Sequence, residues 1–324
     1  MDDISEDNVQ TIENPFAGAY HILTPKFALQ LAAPHTWPAA ILPCLAAVCA
    51  AGVATGQVSI LTSMALLAIC ILFQAAANTF NDYFDYIKGA DSADDNVEVS
   101  DSTLVYENLN PKHALILAIG FVAVAFLLGI FIVIRAGFVP LIIAIVGAAV
   151  VVLYSAGKTP LSYLPVGEIV SGLFFGMIIP IAVFYSLTSA FDWRILLWSL
   201  PFVIGVGLIM MTNNTCDIEK DLEAGRKTLP GRLGRDRILE VYHWAILAWL
   251  VLIILFGALF FTNGIIIAPF MLLAAWPVLK PLVANPLVPK TRVKAMGQIL
   301  SVNVILGGFY SAIICASGAF TLVV

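Results

Sequence analysis

The sequence predicts an all-α membrane protein with nine transmembrane helices, and its composition and the length of its apolar runs carry this prediction. Of its 324 residues, 60% are hydrophobic and 11% are charged, with a mean hydropathy of +0.96. An average soluble domain has about 25% charged residues. The apolar residues fall in runs of about 20, the length at which a helix crosses a bilayer. The alternating segments of a membrane β-barrel do not occur.

Nine apolar runs can be followed along the chain, and most are joined by short connections. Two longer polar loops, 82–111 and 217–237, interrupt the series. We expect one membrane domain over 28–324, preceded by a cytoplasmic segment over 1–27. The predicted spans are 28–55, 59–81, 112–134, 138–157, 165–187, 195–217, 238–261, 264–284 and 295–322.

The distribution of basic residues predicts the orientation of these spans. Cytoplasmic loops of membrane proteins are enriched in Lys and Arg. If the N-terminus is cytoplasmic, only Arg135 and Arg194 lie outside, which leaves fourteen of the sixteen basic residues inside. We therefore expect a multi-pass protein of the cell membrane with its N-terminus inside and its C-terminus outside. Both polar loops then meet at the cytoplasmic mouth of the bundle, where we expect the active site.

The first acidic motif, NDYFD at 81–85, lies at the end of the second predicted span. Asp82 and Asp85 are three residues apart, so they share one face of a helix. Asn81 directly precedes them. Carboxylates at the end of an apolar span cost free energy unless a partner satisfies them, so we predict that a cation binds here.

The second acidic motif, NNTCDIEKD at 213–221, follows the sixth predicted span. Asp217 and Asp221 are four residues apart and again share a face, with Asn213 and Asn214 just before them. Two such helix ends form an all-oxygen ligand set, which suits Mg²⁺ and not zinc. The predicted metal ligands, which we also expect to be catalytic, are Asp82, Asp85, Asp217 and Asp221.

Basic residues follow the second motif in the stretch GRKTLPGRLGR. Arg226 and Lys227 would neutralise the charge of a diphosphate held by two Mg²⁺ ions, and Lys88 would add to this. The apolar spans would surround the other end of the substrate, which favours a lipid tail. A polyprenyl diphosphate meets both requirements.

Both motifs resemble the N-D-x-x-D and D-x-x-x-D signatures of the UbiA superfamily of intramembrane prenyltransferases. The similarity extends over most of the chain and includes LAAPHTWPAAILP at 31–43 and YSAGKTPLSYLPVGEIVSGLFFG at 154–176. The stretch NNTCDIEKDLEAGRKTL at 213–229 most resembles the branch of 1,4-dihydroxy-2-naphthoate polyprenyltransferases of menaquinone synthesis.

The resemblance implies Mg²⁺-dependent electrophilic aromatic substitution. The diphosphate leaves, an allylic cation forms among apolar walls, and an electron-rich ring captures it. With dihydroxynaphthoate as acceptor, carbon dioxide is lost and demethylmenaquinone results in its reduced, quinol form. The expected partners are a polyprenyl diphosphate, the aromatic acceptor and membrane lipid, and nothing indicates nucleic-acid binding.

Several positions depart from the pattern of the family. Ala33 stands where many members have Arg, and Cys216 stands where the menaquinone branch has Arg. Gly89 replaces the last Asp of the longer first motif, which leaves Asp91 as the nearest acid. The loop 92–110 lacks the usual Arg, Gly and Pro residues. These departures bear on the acceptor more than on the prenyl donor.

Residues around the loop 158–164 have two interpretations each. Glu168 would act as a base or orient the acceptor hydroxyl, or it would cap the helix that it begins. Lys158 would bind substrate or anchor the topology. The spacing of Gly172 and Gly176 favours close helix packing over substrate contact. The predicted substrate-binding residues are Asn81, Lys88, Tyr154, Lys158, Asn213, Asn214, Arg226 and Lys227.

The sequence can be compared with the requirements of other functions. Within the same chemistry, the acceptor could be 4-hydroxybenzoate or another aromatic or lipid molecule. A CDP-alcohol phosphotransferase would need a contiguous motif that is absent. A cation transporter would need acids near mid-span and inverted repeats, whereas these acids lie at one membrane face. The remaining acids of the first polar loop are expected to be solvated: Asp94, Asp95, Glu98, Asp101 and Glu107.

Overall fold

The structure is a computed structural model that describes residues 20–90 and 102–324. Within these residues the chain is almost entirely helical. The helices are α1 (Pro25–Ala32), α2 (Pro38–Thr55), α3 (Ile60–Ile87), α4 (Thr103–Tyr106), α5 (Pro111–Ala136), α6 (Val139–Ser155), α7 (Gly167–Leu173), α8 (Ile179–Thr188), α9 (Arg194–Cys216), α10 (Ile218–Glu223), α11 (Leu229–Leu233), α12 (Arg235–Phe260), α13 (Ala268–Val283) and α14 (Arg292–Ala316). Two strands, β1 (Gln57–Ser59) and β2 (Thr321–Val323), pair in parallel. The predicted acids Asp91, Asp94, Asp95, Glu98 and Asp101 lie outside the described residues.

Eight helical segments in the described part of the chain are long and apolar enough to cross a membrane. The helical membrane fold is therefore confirmed. The span predicted over 138–157 corresponds to α6, an apolar helix of 17 residues that lies at the short end of the spanning range. The eight segments are Pro38–Thr55, Ile60–Ile87, Pro111–Ala136, Gly167–Thr188, Arg194–Cys216, Arg235–Phe260, Ile265–Val283 and Pro289–Ala316.

Local sequence signals fix where the long helices begin and end. The Ser59 hydroxyl accepts a hydrogen bond from the amide of Thr62 and caps the start of α3. The Asn110 side chain caps α5 in the same way, with Pro111 at the first helical position. Gly56 ends α2 in the left-handed region, with φ of 76°, which glycine adopts without strain.

Helices α7 and α8 form one membrane segment that is interrupted by a π-helical turn over 174–178. Two glycines hold this segment directly against α9. A Cβ atom on Gly172 would lie 2.5 Å from the carbonyl oxygen of Val203, and one on Gly176 would lie 2.4 Å from its backbone nitrogen. The prediction that these glycines serve close helix packing is confirmed, since any side chain there would clash with backbone.

The helices alternate in direction, which brings the polar motifs to one end of the bundle. Helices α3, α6 and α9 end there, and α5, α7, α12 and α14 begin there. The paired strands lie at the opposite end, since β1 connects α2 to α3 and β2 follows α14. We call the end of the bundle that carries the polar motifs the motif end. It is the only end at which charged groups are buried among the described residues.

Candidate functional site

A cavity of about 160 Å³, the site cavity, opens at the motif end between α3, α6, α7 and α9. Its outer wall is polar and its inner wall is apolar, the latter including Phe175, Ile209 and Met210. Eight of the predicted metal-binding and substrate-binding residues line it. They are Asn81, Asp82, Asp85, Tyr154, Asn213, Asn214, Asp217 and Arg226.

Arg226 connects the two acidic motifs. One of its terminal nitrogens lies 2.8 Å from Oδ1 of Asp85, and the other lies 3.7 Å from Oδ1 of Asp221. Its guanidinium also lies 4.6 Å from the ring centroid of Tyr163. Burial by itself lowers the pKa of Arg226, but the two carboxylates more than offset this and raise it above its ordinary value. The guanidinium is therefore a permanent positive charge in the wall of the site cavity.

Asp217 has a different cationic partner, Arg292 at the start of α14. Nε of Arg292 lies 3.0 Å from Oδ2 of Asp217, and the same guanidinium donates to Oδ1 of Asn213. The Arg292 side chain is only 5% exposed. Burial raises the pKa of Asp217, while the charge of Arg292 opposes that rise. This second buried pair ties the last helix to the second motif.

The first motif lies on the last turns of α3, and its residues contact one another as the helical spacing predicts. Nδ2 of Asn81 donates to Oδ2 of Asp85 over 2.7 Å. Oδ2 of Asp82 accepts a hydrogen bond from the backbone amide of Thr103 over 3.0 Å. Asp82 thus fixes the start of α4 beside the cavity, while Asp85 faces Arg226.

Glu168 is buried behind the wall of the site cavity. Its Oε1 accepts a hydrogen bond from Nδ2 of Asn214 over 2.8 Å, and Asn214 itself lines the cavity. Among the described residues, neither Oε2 of Glu168 nor the hydroxyl of Tyr154 has a hydrogen-bond partner. The structure therefore places Glu168 in contact with Asn214 and not in the cavity wall, whereas Tyr154 lines the cavity directly.

Three predicted substrate-binding lysines do not line the site cavity. Lys158 and Lys227 have exposed side chains, and the backbone amide of Lys227 donates to the carbonyl of Tyr163. The ammonium of Lys88 donates to the carbonyl of Ser155 over 2.7 Å and lies 4.8 Å from the Tyr163 ring centroid. Burial lowers the pKa of Lys88.

The sequence did not single out several residues that the structure places in the site. In the sequence Arg292 is one of the fourteen basic residues expected on the cytoplasmic side, and no motif indicates Tyr163. Gln74 and Asn78 precede the first motif by whole helical turns and line the cavity with it. Their one-face spacing with Asn81 was a signal that sequence reasoning could have used.

The donor set fits a hard divalent cation better than any other metal. The polar wall offers carboxylate and amide oxygens, which suit Mg²⁺. In the part of the chain that is described, no three His, Cys, Asp or Glu side chains converge as a ready-made metal cluster. Mg²⁺ commonly uses one or two carboxylates and completes its shell with water and substrate phosphates. The arrangement therefore fits an ion that arrives with a phosphate ligand.

Asp221 titrates in an unusual range for a carboxylate. Burial raises its pKa from 3.8 to about 7, and the charge of Arg226 only partly opposes this. The hydroxyl of Thr228 donates to its Oδ2 over 3.3 Å. Its occupancy by a proton therefore changes near neutral pH.

Two further cavities continue inward from the site cavity between α3 and α6. The middle chamber, of about 90 Å³, is apolar in the part of its lining that it does not share with the site cavity. The shared residues are Gln74, Asn78, Asn81, Tyr154, Ser171, Phe175 and Met210. The end chamber, also about 90 Å³, is lined by apolar side chains of α3, α5, α6 and α8, with one hydroxyl from Ser186. A polar mouth thus leads into apolar space.

Comparison with known proteins gives consistent results. The sequence profile of the UbiA prenyltransferase family matches residues 40–319. A 1,4-dihydroxy-2-naphthoate octaprenyltransferase of Bacillus subtilis is 34% identical over 232 residues, which are 71% of this chain and 74% of that protein. An enzyme of the same name from Mycobacterium tuberculosis is 29% identical over 279 residues, 83% of this chain and 91% of that protein.

Solved structures share the fold at low sequence identity. A UbiA homolog from Archaeoglobus fulgidus, bound to DMAPP and Mg²⁺, superposes with a TM-score of 0.59 at 18% identity, covering 89% of this chain and 98% of that one. An apo UbiA homolog from Aeropyrum pernix gives a TM-score of 0.62 at 17% identity, covering 83% and 96%.

Proposed function

The chain belongs to the UbiA prenyltransferase family, and from this premise we propose that it transfers a polyprenyl group from a polyprenyl diphosphate to 1,4-dihydroxy-2-naphthoate in menaquinone synthesis. The observation that carries the proposal is the site cavity, whose wall of carboxylates, amides and a guanidinium leads into apolar chambers. An amphiphile with a diphosphate head and an isoprenoid tail has the matching chemistry. The names of the curated relatives support the choice of acceptor.

Different residues of the site act on the metal ion and on the diphosphate of the prenyl donor. Asp85, Asp217 and Asp221, with Asp82, would hold Mg²⁺, which supplies Lewis-acid stabilisation of the diphosphate leaving group. Arg226 faces the same cavity and stabilises negative charge that develops as the prenyl C–O bond breaks, with the electron pair leaving on the diphosphate. Tyr163 holds the Arg226 guanidinium in place through its ring.

The apolar wall and the buried amides serve the acceptor. Phe175 and Met210 exclude water from the allylic cation, so that a ring carbon and not water forms the new bond. Asn214, oriented by Glu168, presents a polar group to the acceptor, and Tyr154 offers a hydroxyl to it. Loss of carbon dioxide from the acceptor returns the electron pair that restores the aromatic ring.

The membrane arrangement follows from the same proposal. All nine apolar helices, including α6, cross the membrane within one domain over 28–324, and the segment 1–27 lies in the cytoplasm. The motif end faces the cytoplasm, with the C-terminus outside. The observation in favour is that Arg135 and Arg194, the two basic residues predicted outside, lie at the helix ends opposite the motif end.

The test is a transfer assay on membranes that contain the full chain, with Mg²⁺ and a radiolabelled polyprenyl diphosphate. Separate reactions receive dihydroxynaphthoate or 4-hydroxybenzoate. We expect a labelled lipid product with dihydroxynaphthoate, lost on chelation of Mg²⁺ and lost in Asp85→Asn and Asp217→Asn. Glu219→Gln is the matched control, because Glu219 lies between the acids of the second motif but has an exposed carboxylate paired with Arg235.

Each outcome of this assay decides a different part of the proposal. Product with 4-hydroxybenzoate alone would refute the acceptor and keep the reaction. Product that persists in both Asp variants would refute the metal-holding role of these acids. Absence of product with either ring would refute the proposed function.

A further inference from the structure

The middle chamber and the end chamber follow one another along α3 and α6, and they have a single lining residue in common. On α3, Gln74 lines the middle chamber and Cys70 lines the end chamber one turn further in. On α6, Val151 and Gly147 are related in the same way. Phe174 is the one residue that lines both chambers, and it is 6% exposed.

The position of Phe174 is a consequence of the π-helical turn. The turn begins at this residue and adds an extra residue to the helix, so that Phe174 and Phe175 both point toward the chambers with their rings 4.8 Å apart. The close packing of Gly172 and Gly176 on α9 prevents this segment from moving back. This packing fixes the backbone from which the Phe174 ring extends to α6.

The contact with α6 is made at a glycine. A Cβ atom on Gly147 would lie 3.2 Å from Cε2 and 3.5 Å from Cζ of Phe174. Because Gly147 has no side chain, the ring has room on this side. A larger residue at position 147 would press on the ring from the end-chamber side.

The end chamber itself has the chemistry of a hydrocarbon site. The hydroxyl of Ser186, its one polar side chain, donates to the carbonyl of Ala182 over 2.7 Å, so this donor is already satisfied within its own helix. Apolar cavities of this kind stay dry and accept apolar ligands. From Asp85 to Leu66 on α3, the three cavities together extend over 19 residue steps, or about 28 Å along the helix.

We propose that Phe174 is the specificity-determining residue for prenyl chain length: short tails end in the middle chamber, and longer tails reach the end chamber only by passing its ring. The inference rests on the proposed function, since it assumes that a prenyl diphosphate has its head in the site cavity. Gly147 provides the clearance for that passage. Residue size at these two positions then sets the preference between short and long donors.

The experiment measures kcat/KM of the purified full chain in lipid nanodiscs for geranyl diphosphate and for a long-chain polyprenyl diphosphate, with the same acceptor. We expect Phe174→Ala to raise the long-to-short ratio by about tenfold or more, the size of effect that small changes in an apolar pocket produce. Gly147→Val is expected to lower the ratio by a similar factor while activity on the short donor stays within about twofold. Phe174→Leu serves where the alanine variant does not fold.

Phe184→Ala is the matched control, because Phe184 is an equally buried aromatic residue of α8 that lines none of the three cavities. Its ratio should equal that of the unmodified protein. Active variants at positions 174 and 147 with an unchanged ratio would overturn the inference. An unmodified protein that transfers no prenyl group from either donor would overturn the proposed function, and this inference with it.

Discussion

Replacement of Arg226 by Gln should change metal binding and catalysis in opposite directions. The guanidinium lies 2.8 Å from Asp85 and 3.7 Å from Asp221, and all three side chains are at most 14% exposed. In the absence of substrate, a divalent cation must compete with this guanidinium for the same two carboxylates. During the reaction, however, the guanidinium is one of the charges that stabilise the leaving diphosphate. Gln keeps much of the length of Arg226 but removes its charge.

The contacts set the size of both effects. An interaction with a charged partner at the Asp85 distance contributes about 1.5–3 kcal/mol, and 1.4 kcal/mol is a factor of ten. The Mg²⁺ concentration for half-saturation without substrate should therefore fall by about 10- to 100-fold. Loss of a donor that stabilises developing negative charge costs about 3–4 kcal/mol, so kcat/KM should fall by about 100- to 1,000-fold.

Metal binding is measured by calorimetric titration of the purified chain at about pH 9, where Asp221 is ionised because its pKa is about 7. Lys227→Gln is the matched control, since that side chain is adjacent and exposed. It should leave both quantities unchanged. Mg²⁺ binding that weakens in Arg226→Gln would refute the competition argument, and unchanged kcat/KM would show that the guanidinium does not act on the diphosphate.

Three more outcomes are expected. Burial raises the pKa of Asp221 to about 7, so a proton competes with Mg²⁺ for this carboxylate below that pH. In Mg²⁺ titrations without substrate, the affinity should be constant above pH 7 and should fall by up to about tenfold per pH unit below it. Gly176→Ala should lower the free energy of unfolding by about 1–3 kcal/mol, because the new Cβ would lie 2.4 Å from the α9 backbone, and the Tm should fall accordingly. The control Gly120→Ala should leave the Tm unchanged, since a Cβ there meets nothing within 4 Å. Arg292→Met should lower the free energy of unfolding by about 3–5 kcal/mol, because it leaves Asp217 buried without its cationic partner. Adding Asp217→Asn should restore part of that stability. Equal Tm values for the single and the double variant would contradict this.

The helical membrane fold was accessible from the sequence because its determinants are local. Runs of apolar residues, a capping Ser59 or Asn110 and a terminating Gly56 act within a few neighbouring residues. The helical spacing of the first motif likewise predicts the contact of Asn81 with Asp85 on α3. In the second motif α9 ends at Cys216 and α10 begins at Ile218, so Asp217 and Asp221 do not lie on one continuous helix, and only Asp217 lines the site cavity. The spacing of Gly172 and Gly176 also predicted close packing correctly, since small residues at that spacing typically lie at helix–helix contacts in membrane proteins.

The partners of those acids were decided only by the tertiary structure. Asp217 meets Arg292, which is 75 residues away, and no local pattern distinguishes this buried arginine from the exposed lysines that merely follow the positive-inside rule. Lys158 and Lys227 carry the same charge as Arg292 and are predicted on the same side of the membrane, yet they do not line the cavity. The division of the apolar space by Phe174 depends in turn on one extra residue in a helical turn. Hydropathy specifies that these residues are inside a membrane, but which of them face one another depends on how the helices pack, and that is set by contacts summed over the whole bundle.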